Sequence, residues 1–443
     1  MNVNKLAQSQ RVVVTGMGIV SPIGVGLKEN WDSILSGKSG IVSLKGEKEF
    51  SGLKSQIGGH LPSHFKIDDH KTSFGDARIF SLANAVTKEA IADSKLDLSK
   101  FNHTERERVG IVLGNQFGVL ENYMKQHQKL RLLQTMNHMV PALIAMEHQI
   151  TGQLTCTSNA SASGGIAIGE AYRLIKNGYQ DIVITGGVDF NLNRHFFEGM
   201  ELFGANCNTY NDSPEKASMP FDEKRSGPIM SDGGGILVLQ SLESALQRGS
   251  PIYCEVSGFS MNTDAYHILR PTDNGIGLYK AIRNALLEAG ITPSQIDSIN
   301  SHATSTPAGD LSEATCLKKL LGNKQTWNSL KNLAELDPLK VLDKNEPIEV
   351  TQLKRAVITA PKGHIGHTFC AAGAVESVFA VKSIEKGIIP QILNLNTPLD
   401  NELTFAQGNV KKEVNVVVKT SLAFGGVNSA LVFQSFKKES AKL

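Results

Sequence analysis

The sequence predicts an α/β protein with sheets covered by helices on both faces, built from two similar halves. Two observations lead there. Apolar, β-branched runs ending in glycine recur along the chain, as in "RVVVTGMGIVSPIG", "RVGIVLGNQFG" and "QDIVITGGVDF". They are continuous rather than alternating, the pattern of strands buried on both sides, and helical stretches such as Gly165–Lys176 fall between them. The second observation is an internal echo. "SASGGIAIGEAYRLIKNG" carries Ser161, small residues, Glu170, then Lys176 and Gly178; "HTFCAAGAVESVFAVKSIEKG" carries His367, small residues, Glu376, then Lys386 and Gly387. Each follows an apolar β-like stretch.

Taken in order, "RVVVTGMGIVSPIG" reads as a buried strand turning through glycines, and the second and third runs read the same way. Later strands are "PIYCEVSGFSMN", "IDSINSHATST", "RAVITAP" and "NVVVKTSLAFGGVNSALVF". The halves are drawn as residues 1–250 and 251–443; chance similarity between two small-residue helices is the competing explanation of the echo. The polar stretch Gly322–Lys354 breaks the pattern and reads as an exposed insertion, a solvated loop or a partner-binding element.

With 443 residues the chain has enough length for one large core or two fused domains. Its residues are 41% apolar and its formal net charge is +2, so neither disorder nor a polybasic nucleic-acid face is expected. No apolar run is long enough to cross a bilayer, and "MNVNKLAQSQRVVVTG" has no secretory core, so no membrane partner is expected. Five cysteines, odd in number and without metal spacing, fit a reducing cytoplasm.

Two histidine clusters carry the candidate chemistry. "NSHATST" places His302 just after a strand, and "PKGHIGHTFCAAG" places Lys362, His364 and His367 before a helix. Glycines around His367 permit close approach to a ligand. The pair His364/His367 has metal-like spacing but no acidic third ligand at a typical distance, so no metal is expected.

The blocks "VVVTGMGIVSPIG", "PFDEKRSG", "DAYH", "HATSTPAGD", "KGHIGHTFCAAGAVES" and "AFGGVNSALVF", in this order, resemble the β-ketoacyl-acyl-carrier-protein synthases of the thiolase superfamily over nearly the whole chain. The resemblance implies a five-layer αβαβα core, usually a homodimer, and a Cys-His-His site served by an acyl carrier protein. It implies no cofactor of the enzyme's own, because phosphopantetheine arrives on the carrier. The family's nucleophile stands at fixed distances from a loop glycine and a helix glycine; Gly152 and Gly169 both count to Ser161. Cys156, in "CTS", falls too early. His302 and His367 match the family histidines and Lys362 the lysine that organises them. Thr304 and Thr306 match hydroxyls that bind the pantetheine arm, or simply cap local turns. Phe203 matches a residue lining the acyl pocket, or is plain core, and Phe424 matches the phenylalanine of the "FGG" loop. A segment shorter than its family counterpart, between Pro141 and Gly152, weakens the implied dimer. Leu269, Arg270 and Cys207 depart from the family's usual residues and leave the carrier docking open.

A serine changes the chemistry. A cysteine at a helix start is partly thiolate and accepts an acyl group; a serine without a base is a far weaker nucleophile. Decarboxylation needs donors for the developing enolate, which His302 and His367 retain, and an apolar wall for the carboxylate, for which Phe424 is the matching candidate. The combination resembles the ketosynthase-like decarboxylases of polyketide β-branching cassettes, which turn malonyl-carrier into acetyl-carrier. The alternatives are a β-ketoacyl synthase condensing through an acyl-serine, and a non-catalytic partner of the chain-length-factor kind.

Overall fold

The computed structural model describes residues 9–66, 78–116, 131–322 and 356–437. The expected insertion therefore lies, beyond Gly322, outside the described residues. In the first half the principal elements are β1 (Val12–Ser21), α1 (Arg78–Asp93), β2 (Val109–Gly114), α2 (Met139–His148), β3 (Leu154–Thr157), α3 (Ser163–Lys176), β4 (Ile182–Asp189) and β5 (Gly233–Ser241). In the second half they are β6 (Cys254–Thr263), α4 (Ile276–Glu288), β7 (Ser298–Asn300), α5 (Pro307–Gly322), β8 (Val357–Thr359), α6 (Ala372–Lys386), β9 (Val416–Ala423) and β10 (Val427–Ser435).

The order of elements repeats, and so does the sheet. Strands run β1-β5-β4-β2-β3 in the first set and β6-β10-β9-β7-β8 in the second. In each set the first two pairings are antiparallel and the last two parallel. The two sets join edge to edge where Val12–Val14 pairs antiparallel with residues 254–256, so hydrogen bonding runs through both. Every residue of β1, β2, β4 and β5 is buried, because helices cover both faces.

Helix α1 packs on β1 and β5; α3 and α6 pack on each other between the two sets of strands; α4 packs on β6 and β10, with α5 beside it. The result is helix, sheet, helix pair, sheet, helix. The middle layer is apolar, with Ile166, Ile168 and Ala171 of α3 meeting Val375, Val378 and Phe379 of α6 among side chains from both sheets. At about 25 cal/mol per Å² of apolar surface buried, such a layer is the main stabilising element of the fold.

The small residues that form the echo have a packing reason. A Cβ on Gly373 would lie 2.5 Å from the backbone nitrogen of Gly165, and one on Gly164 would lie 2.9 Å from the nitrogen of Ala374. The starts of α3 and α6 thus touch backbone to backbone. Gly373→Ala should cost about 1–3 kcal/mol through overpacking, read as a lower urea midpoint. A wild-type midpoint would mean that the two helix starts do not touch.

The echo's register differs from the sequence alignment. Three-residue 3-10 turns, Ala160–Ala162 and Phe369–Ala371, lead into α3 and α6. Their first residues are both left-handed, Ala160 at φ +46° and Phe369 at φ +45°. Ser161 therefore matches Cys370, not His367. The strained turn sets the correspondence, and the shared Glu spacing does not.

Candidate active site

Ser161 sits in the turn before α3. Ser163 pins that turn, its hydroxyl accepting from Asn159 N at 2.8 Å and donating to Ala160 O at 2.7 Å. Ala160 N adds a bond to Gln116 Oε1 at 3.1 Å. The Ser161 Oγ lies 2.8 Å from Nε2 of His367. His302 stands beside it, the two imidazole centroids 5.5 Å apart and their planes at 84°. All three side chains are buried.

Each histidine is held by its backbone. His367 N donates to Ile229 O at 2.6 Å, and Ser231 N donates to His367 O at 3.0 Å. His302 N donates to Glu313 Oε1 and to Thr420 Oγ1, both at 3.0 Å, and Ala303 N donates to Glu313 Oε2 at 2.8 Å. Glu313 of α5 thus cradles the His302 loop from below. The loop needs that support, because Ala303 and Ser305 are left-handed at φ +28° and +66°.

Lys362 is 1% exposed and spends its three protons inside the site. Its Nζ donates to His302 O at 2.6 Å and to Glu376 Oε1, and lies 3.3 Å from His302 Nδ1. The other Glu376 oxygen, Oε2, lies 2.7 Å from Nζ of Lys419, which is also 1% exposed. Two buried lysines share one buried carboxylate. Lys419 also donates to its neighbour's carbonyl, Thr420 O, and Thr420 Oγ1 donates to Glu313 Oε1 at 2.7 Å.

These contacts allow the proton positions to be assigned. Lys362 has protons only to give, so Nδ1 of His302 accepts and Nε2 carries the hydrogen. Nδ1 of His367 has no partner among the described residues. A buried acceptor without a partner is tolerated more readily than a buried N–H, so we assign its hydrogen to Nε2, facing Ser161. Burial first, and then the Lys362 charge, push both imidazoles well below the usual histidine value; His367 and Lys419 add to this at His302, and Lys419 at His367. Burial likewise pushes the Lys362 ammonium down, with Glu376 opposing. Both imidazoles are thus favoured in the neutral form, His367 with its Nε2 toward Ser161 and His302 beside it.

The structure brings Ser161, His302, His367 and Lys362 together. Cys156 stands apart on β3: its thiol donates to Asn115 O at 3.9 Å, and burial pushes it up to about 11, far from a thiolate at neutral pH. His364 also stands apart, its two ring nitrogens each 3.0 Å from a backbone carbonyl, Lys38 O and Gln391 O. Among the described residues no cluster of three or more His, Cys, Asp or Glu is placed to hold a metal ion. No described helix is long and apolar enough to cross a membrane.

The remaining candidates are less engaged. Thr306 Oγ1 accepts from Gly309 N at 3.2 Å and lies 3.1 Å from Thr304 Oγ1, the local capping that threonines readily make. Phe203 is 59% exposed at the end of a surface helix, so it is not plain core. The aromatic ring beside His367 is Phe369, 6.1 Å away between centroids, which in turn stacks edge-on against Phe196 at 5.0 Å. Phe424 stands 36% exposed on the β9–β10 turn, where Gly425 and Gly426 take φ +81° and +73°.

The sequence reading missed Glu313, Glu376 as a site residue, and Lys419. A signal existed for two of them. Lys419 interrupts a strand expected to be buried on both faces, and Glu376 interrupts a helix of small residues. A charge in such a place requires a partner.

A model of the β-ketoacyl synthase N-terminal domain matches residues 9–245, and one of its C-terminal domain matches residues 253–334 and 340–396. The 3-oxoacyl-[acyl-carrier-protein] synthase 2 of Synechocystis sp. is 32% identical, covering 97% of this chain and 99% of that protein. A solved type II polyketide ketosynthase, in complex with its acyl-carrier protein, superposes with a TM-score of 0.81 at 25% identity, over 97% of this chain and all of that one. The ishigamide ketosynthase/chain length factor superposes at 0.79 with 26% identity over the same shares. With its repeated thiolase-like halves, its paired histidines and these matches along nearly its full length, the chain belongs to the β-ketoacyl synthase family.

Proposed function

We propose that the protein decarboxylates a malonyl group carried on an acyl carrier protein, giving an acetyl group and carbon dioxide. One observation carries this reading: Nε2 of the buried His367 lies 2.8 Å from Ser161 with His302 beside it, and we assign that nitrogen an N–H, not a lone pair. Ser161 then has no base to take its proton and is a poor nucleophile. The same two N–H groups of His302 and His367 suit an enolate. As the bond between the methylene and the carboxylate breaks, its electron pair moves to the thioester oxygen, which the two donors stabilise. Carbon dioxide leaves, and a proton added at carbon completes the acetyl thioester. Phe424 is assigned the apolar wall against the departing carboxylate, and Thr304 the contact to the pantetheine arm. Phe203 is assigned to the outer lip of the channel. A homodimer fits the edge strand β3, which pairs only with β2 among the described strands.

A second reading is favoured by the relative named as a 3-oxoacyl-carrier synthase: condensation through an acyl-Ser161. A third follows the structural match to a ketosynthase/chain length factor: a partner without chemistry of its own. Mass spectrometry of the carrier separates them. Malonyl-carrier should become acetyl-carrier on incubation with the pure protein. A ketoacyl-carrier formed after adding an acyl donor supports condensation, and unchanged malonyl-carrier supports the partner.

Ser161→Cys should gain what the serine lacks. A thiol at this turn, at the start of α3, should take an acyl group from an acyl-carrier and appear as a mass increment on the protein. Wild-type protein should show none under the same conditions. A cysteine variant that never acquires the increment would place the acyl site elsewhere.

A further inference from the structure

We propose that Lys419 is a positioning residue of the histidine pair, acting on His302 through Glu376 and Lys362. The reaction it serves rests on the decarboxylase reading above. The geometry is a relay of four side chains drawn from four parts of the chain. Lys419 of β9 holds Glu376 Oε2 at 2.7 Å; Glu376 of α6 holds Lys362 through Oε1; Lys362, in the turn after β8, holds His302 by its carbonyl and its Nδ1. The next residue on the strand, Thr420, meets the same histidine from the other side, accepting from His302 N at 3.0 Å. β9 thus reaches His302 directly through Thr420 and indirectly through Lys419.

A lysine this deeply buried carries a heavy desolvation cost, which a hydrophobic side chain in an apolar strand would avoid. What it secures is the geometry of the carboxylate. Held at both oxygens, Glu376 offers Lys362 one oxygen and leaves the ammonium two protons for His302. Without Lys419, Glu376 would turn both oxygens to Lys362. The Nζ would then draw away from Nδ1, and His302 would no longer be fixed as an Nε2–H donor.

The charged and titratable groups facing His302 are Lys362 before α6, Lys419 on β9, Glu313 on α5, Glu376 on α6 and His367 in the adjoining loop. Two are cations and two are carboxylates. Removing Lys419 leaves the carboxylates in excess, so protonation of His302 should become easier.

The test uses the full chain labelled with ¹⁵N at histidine, the His302 signals being assigned by a His302 variant. In the wild type His302 should show the Nε2–H tautomer and titrate well below 6.5, the usual histidine value. In Lys419→Met the tautomer should become mixed and the titration should move to higher pH. The kcat for malonyl-carrier should fall roughly tenfold, less than for loss of a direct oxyanion donor, with KM within about twofold. Lys419→Gln exchanges the ion pair at Glu376 Oε2 for a neutral amide donor and should restore the tautomer and most of kcat while still titrating high. A folded Lys419→Met protein with the wild-type tautomer and titration would overturn the proposal. If that variant does not fold, Lys419→Gln decides by tautomer and titration together: the Nε2–H tautomer kept with a raised titration supports the role, and a mixed tautomer or an unchanged titration overturns it. The imidazole signals do not depend on turnover. A wild type that leaves malonyl-carrier intact would therefore sink the decarboxylase reading alone.

Discussion

Replacing His302 with alanine should slow carbon dioxide release from malonyl-carrier protein by about 10²–10³-fold, the loss expected for one oxyanion donor, or roughly 2.7–4 kcal/mol of barrier. The imidazole is removed, but the backbone contacts that shape its loop are not. His302 N still donates to Glu313 and Thr420, and its carbonyl still accepts from Lys362. The variant should therefore fold, and circular dichroism should match the wild type. On the proposed reading His367→Ala should lose as much, because its ring stands near-perpendicular beside His302 with Nε2 next to Ser161. Removing both should cost less than the sum, since the two donors act on one oxygen. Retention of more than a third of the wild-type rate in either single variant would place the negative charge somewhere other than between the two rings.

Glu376→Ala should cost about 3–5 kcal/mol of folding stability, the penalty for leaving buried charges without their partner. Here one carboxylate serves two ammonium groups, Lys362 and Lys419, both 1% exposed. The deficit should depend on pH in a defined direction. Burial already holds Lys362 below the ordinary lysine value of 10.5, and loss of the counter-charge should lower it further. Between the folded and the unfolded values the unfolded chain binds the extra proton, so the variant gains stability as pH rises through that window. Urea unfolding at pH 7 and pH 9 measures both effects. A variant within 1 kcal/mol of wild type at pH 7 would mean that the lysines are not charged partners of Glu376.

The layered fold was legible because its signals are local. Continuous apolar strands and small-residue helices are properties of short windows, and the observed β1–β5 and β6–β10 sets answer to them. The small residues around Ser161 were also legible, and they have a direct cause in the backbone contact between α3 and α6. The register of the echo was not. Ala160 and Phe369 mark the corresponding positions by a left-handed φ, which neither residue type announces. His364 and His367 looked alike in "PKGHIGH", yet one ring is spent on two carbonyls and the other faces Ser161.

The sequence by itself determined the alternation of strands and helices, their duplication, and the residue types at the candidate centre: a serine hydroxyl, two imidazoles and a lysine. Tertiary structure alone decided how protons and charges are arranged there. The setting of His302 depends on Glu313, Glu376 and Lys419, which come from α5, α6 and β9 and meet only when the sheets are closed around the central helices. The physical reason is range: hydrophobic periodicity is written within a few residues, whereas a buried charge is compensated by whichever side chains the packing brings within about 3 Å of it.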